Sequence, residues 1–61
     1  MPLNQTNNLS DPDAFYTELL AAHRGLSEAD SHALNVRLLL ILANHVGDLE
    51  TLRNALALAR K

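Results

Sequence analysis

The chain contains no cysteine. That excludes disulfides and thiolate metal sites, two of the devices by which very small folds hold themselves together. Aromatic side chains are nearly absent, with Phe15 and Tyr16 the only examples, so an aromatic-rich core is excluded. Basic residues are outnumbered, five Lys and Arg against seven Asp and Glu for a net charge of −2, which gives none of the positive footprint of a nucleic-acid binder. No apolar stretch approaches a membrane span: Leu38 to Ala43 is six residues, against roughly 20 required. The first ten residues, MPLNQTNNLS, hold no basic side chain and no apolar run, so neither a signal peptide nor a presequence is expected. The sequence reads as a soluble, bacterial-style cytoplasmic protein.

What the chain does have is leucine and alanine, which supply most of its 48% hydrophobic residues and favour helix strongly. At 61 residues it makes one domain at most. A domain this small buries only about 60% of the surface its unfolded form exposes. Its core alone rarely supplies more than about 3 to 5 kcal/mol. With disulfides and thiolate metals removed, association is the stabilising device left.

Helix punctuation divides the chain clearly. Residues 1–9 are expected to form a flexible N-terminal tail, and residues 10–61 a single helical domain. In DPDAFYTELLAAHRGL, Asp11 can cap, Pro12 suits the first helical position because its missing N–H has no partner there, and Gly25 can take the left-handed stop. The first helix should run over about 12–24. Ser27 and Asp30 have the spacing of a capping box, although Asp replaces the usual Glu or Gln, and Gly47 is the next stop. The second helix should cover 28–46, about 28 Å at 1.5 Å per residue. Asp48 caps the third, expected over 48–60, whose core stripe is Leu49, Leu52, Leu56 and Ala59. The expected fold is all-α, a three-helix unit with short loops and neighbouring helices roughly antiparallel.

Most charges belong to helix ends, where acids favour the first turn and bases the last. Asp11 and Asp13, Glu28 and Asp30, and Asp48 and Glu50 open the three helices; Arg24, Arg60 and Lys61 lie at closing ends. Only Glu18, Arg37 and Arg53 remain, too little for a charged catalytic constellation.

The central segment RLLLILANHVGD poses the main question, because five consecutive large aliphatics, Leu38 to Leu42, point all around a helix. Arg37 and Asn44, seven residues apart, form one narrow polar line, and the rest of the circumference is apolar. The flanking helices, with Phe15, Leu19 and Ala22 on one and the leucine stripe on the other, can each cover about a third of it. A third side is left, and the simplest cover for it is a second copy. The expected interface is Leu34, Leu38, Leu39, Ile41, Leu42 and His45, giving a homodimer through the central helix.

No chemistry-bearing motif competes with this reading. His32 and His45 are thirteen residues apart rather than the three or four of a helical metal pair, so no metal, cofactor-binding or catalytic residue is assigned. Ser10, Ser27 and Ser31 fall at caps or first turns, and no Gly-x-Ser-x-Gly turn exists. ANHVG has the Ala-x-x-x-Gly spacing of a helix-turn-helix, yet Arg53 would occupy the inward position of its recognition helix and Asp48 and Glu50 its turn.

Over DPDAFYTELLAAHRGLSEADS and LNVRLLLILANHVGDLETLRNALALAR, about Leu9 to Arg60, the sequence resembles a family of short, stand-alone bacterial proteins classed as a domain of unknown function. Members look to be encoded near flavin-dependent aromatic hydroxylases, which implies an accessory role beside such an enzyme and carries over no catalytic residue. The expected function is therefore a non-catalytic interaction module, a small accessory or regulatory subunit. Self-association is expected from the uncovered side of the central helix, and the resemblance implies a larger, flavin-dependent enzyme as a further partner. The alternative is a small helix-turn-helix-like DNA-binding regulator.

Overall fold

The side chain of Asp11 accepts a hydrogen bond from the Ala14 backbone N–H at 3.0 Å, and α1 begins at the next residue, Pro12. In this computed structural model, which describes residues 3–61, three helices follow in order: α1 (Pro12–His23), α2 (Glu28–Val46) and α3 (Leu49–Ala59). No strand occurs among the described residues. The expected boundaries hold to within a residue, because each end is fixed by local chemistry. α1 ends at His23, one residue before the anticipated end, because Arg24 takes extended backbone, ψ 130°. Gly25 then takes the left-handed conformation at φ 79°.

The start of α2 makes one half of the anticipated capping box: Ser27 Oγ accepts from Asp30 N at 3.1 Å. Its end is the left-handed stop, with Gly47 at φ 73° donating its N–H to the carbonyl of Ala43 at 2.9 Å. Asp48 then caps α3 at once, accepting from the Thr51 N–H at 3.0 Å and from the Thr51 hydroxyl. Two residues thus stop one helix and start the next.

Residues 3–9, within the anticipated tail, form no regular element; Met1 and Pro2 lie outside the described residues. Asn4 Oδ1 accepts from both the N–H and the hydroxyl of Thr6, at 3.0 and 2.5 Å, which turns the chain locally. Half-buried Leu3, with Asn4 and Gln5, lines a hollow beside Ala55, Leu58 and Ala59 of α3.

Packing between the helices is sparse. No apolar side chain among the described residues is buried, and the single buried residue is Thr51 at 6% exposure. The radius of gyration is 13.3 Å, against about 10.5 Å for a compact chain of this length. The chain exposes 5450 Å², where a compact monomer of its mass would expose about 3900 Å². The expected helices are all present, and the three of them enclose no core.

Candidate interaction surfaces

Two apolar grooves border α2, and they lie on opposite faces of it. The first is formed where α1 leans on α2. Phe15, Leu19 and Ala22 line it from α1, and Leu34, Leu38 and Ile41 from α2, with Glu18 and Arg37 in the wall; it holds about 470 Å³. These α1 residues are the apolar side foreseen from the sequence, whereas their neighbours Tyr16 and Leu20 stay in solvent at 60% and 51% exposure.

A polar tie positions α1. His23 lies in its last turn, with Nδ1 2.8 Å from the carbonyl of Leu19 and Nε2 2.8 Å from Oδ1 of Asn35 on α2. The hydrogen bond to the Leu19 carbonyl, followed by that to Asn35, raises the His23 pKa above its ordinary 6.5, because both favour the imidazolium. At this position histidine also complements the negative end of the α1 dipole.

The second groove is the open angle between α2 and α3. Leu39, Leu40 and Ala43 form one wall, and the α3 stripe forms the other: Leu49, Leu52 and Leu56, with Ala55 and Ala59 between them. It holds about 380 Å³, and no charged residue lines it. At 100° per residue, the α2 side chains of this groove point about 180° away from those of the first. Thr51, on a different side of α3, is bound to Asp48, and these hydrogen bonds from its hydroxyl and N–H lower the Asp48 pKa below 3.8.

The residues expected to form one interface are therefore distributed over α2. Leu34, Leu38 and Ile41 share the α1 groove, Leu39 belongs to the α3 groove, and Leu42 and His45 line neither. Leu42 is half in solvent, at 49% exposure. Sequence reasoning missed Leu40 and Ala43 as companions of Leu39. It named the α3 stripe correctly but expected it to be covered by α2, and the angle between the helices leaves Leu49 and Leu56 at 60% and 61% exposure.

Of the three charges that helix ends left over, Glu18 and Arg37 line the α1 groove and Arg53 pairs with Glu50 at 2.6 Å. Both partners of that pair are mostly in solvent, so it contributes about 0 to 1 kcal/mol. Among the described residues, no three His, Asp or Glu side chains converge as a possible metal site. No helix among them is long and apolar enough to cross a membrane.

What these elements define is an all-α chain whose apolar side chains line surface grooves instead of an interior. It belongs to the protein family of unknown function DUF2783, whose model matches residues 3–61. No curated protein and no solved structure matches the chain.

Proposed function

We propose that this protein is a non-catalytic interaction module, a small accessory or regulatory subunit that self-associates and docks on a larger enzyme. The observation that carries this reading is the absence of any buried apolar side chain among the described residues of a leucine-rich chain. Leu39, Leu40, Leu49 and Leu56 are each 59–63% exposed. Fully burying an exposed leucine is worth about 1.5 to 3 kcal/mol, so covering the exposed part of these four is comparable with the roughly 3 to 5 kcal/mol expected from so small a core. Contiguous exposed apolar surface of this kind marks a site that another molecule covers, and a second polypeptide is the cover this reading favours.

The larger partner we propose is a flavin-dependent aromatic hydroxylase, on the strength of the resemblance described from the sequence. The DNA-binding alternative gains nothing from the charges: α3 begins with Asp48 and Glu50, and Arg53 is engaged by Glu50. A recognition helix needs positive charge where phosphates approach.

Sedimentation equilibrium over the micromolar range tests the reading. The expected mass is two chains or more, and a stable, fully folded monomer across that range would overturn it. Affinity capture followed by mass spectrometry, beside titration with duplex DNA at low salt, separates the alternatives. Capture of the hydroxylase without DNA binding is expected; duplex binding with no protein partner would favour the DNA-binding regulator instead.

A further inference from the structure

We infer that the α2–α3 groove is the self-association face, occupied by the same groove of a second copy, so that two α2–α3 hairpins close into a four-helix arrangement around a two-fold axis. This inference rests on the proposed self-association and specifies its surface. One observation points to a second copy as occupant, and two select the groove.

The first is area. The chain exposes about 1500 Å² more than a compact monomer of its mass. A standard interface takes about 800 Å² from each partner, and obligate homodimers take more. Summed over both grooves and the exposed non-helical residues 4–11, the surplus is of the size an obligate dimer removes from each chain, which points to a second copy as the occupant while the groove is chosen by charge and shape.

The second is charge. Obligate interfaces resemble a core cut in two and are depleted of charged residues at their centre. The α2–α3 groove has no charged residue in its lining, whereas the α1 groove has Glu18 and Arg37. Of the two, only the former has the composition of a core.

The third is shape. A two-fold contact requires one patch to fit itself, with residue i meeting j and j meeting i. The groove holds both halves of such a fit: Leu40, Leu49 and Leu56 project as large side chains, 60–63% exposed, and Ala43, Ala55 and Ala59 leave recesses between them. Large side chains facing small ones interdigitate across helix layers. A second copy brings the same leucines to the same alanines.

The single isoleucine of the chain, Ile41, lines the other groove, so its methyl groups report on that face alone. The test is a filtered NOE experiment on the full chain, with labelled and unlabelled protein mixed in equal amounts so that only contacts between copies are detected. Contacts between copies at the Leu40, Leu49 and Leu56 methyls, with Ile41 silent, are expected. A dimer showing such contacts at Ile41, or none at these leucines, would overturn the inference and leave self-association standing. A folded monomer at NMR concentration would overturn both.

Discussion

His23 presents both ring nitrogens to oxygen atoms, the Leu19 carbonyl and the side chain of Asn35, each at 2.8 Å. Two acceptors require two donors, which only the imidazolium supplies. The raised pKa makes this tie a pH-dependent one. Because the folded value lies above the ordinary 6.5, its contribution is fully present below 6.5 and is lost as pH rises through the folded value. Protection of the α1 amides, relative to their intrinsic exchange rates, should therefore hold up to about pH 6.5 and fall as pH rises further. Asn35→Ala should flatten that response, and an undiminished pH response in that variant would remove the tie from the account. Asp48 behaves in the opposite sense. Its folded pKa is lowered by Thr51, so its contribution is present above 3.8 and is lost as pH falls through the folded value. Exchange in the first turn of α3 should quicken only in acid, and Thr51→Val should shift that onset to higher pH. None of this was legible beforehand: the sequence shows three histidines, and nothing in their spacing tells which one meets an asparagine twelve residues on.

The helices themselves were legible, because what starts and stops them is local. Asp11, Ser27 and Asp48 each accept from an N–H three residues along, and Gly25 and Gly47 adopt positive φ, as capping chemistry requires. Removing a cap should show at this scale. Ser27→Ala is expected to cost about 1 kcal/mol, read from urea unfolding, because the Asp30 N–H loses its acceptor. Gly47→Ala is expected to cost about 1 to 2 kcal/mol through the left-handed backbone. Crowding adds little, since a Cβ there would meet only the Asn44 carbonyl at 3.8 Å. Gly47→Asn should recover part of the loss, because asparagine tolerates this conformation; equal losses for Ala and Asn would point to a cause other than φ. Angles between helices are another matter. The stripe Leu49, Leu52, Leu56 and Ala59 could be read from its spacing, but how far α3 opens away from Leu39 and Leu40 depends on a two-residue turn and on whatever fills the angle. A run apolar on every side identifies a helix without assigning its faces, which is why Leu34, Leu38 and Ile41 could not be separated from Leu39 beforehand.

At the scale of the molecule, the surface area and the missing core are one fact seen twice. A chain with a radius of gyration of 13.3 Å and an extent of 37 × 24 × 24 Å leaves its leucines half-buried or exposed, so only part of the hydrophobic driving force is available within a single copy. If the balance is supplied between copies, folding and association become one equilibrium, and stability depends on protein concentration by mass action. The melting temperature, followed by helical ellipticity, should then rise steadily with concentration through the micromolar range. Leu56→Ala should lower it at every concentration and move the dependence to higher concentration, because it removes a projecting side chain from the open α2–α3 angle. Leu20→Ala, at a side chain 51% exposed that lines neither groove, should move it far less. A melting temperature independent of concentration would mean that three helices without a buried apolar side chain are stable alone. Half-buried contacts such as Leu19, Leu34, Leu38 and Leu52 would then have to hold the fold without help from a second copy.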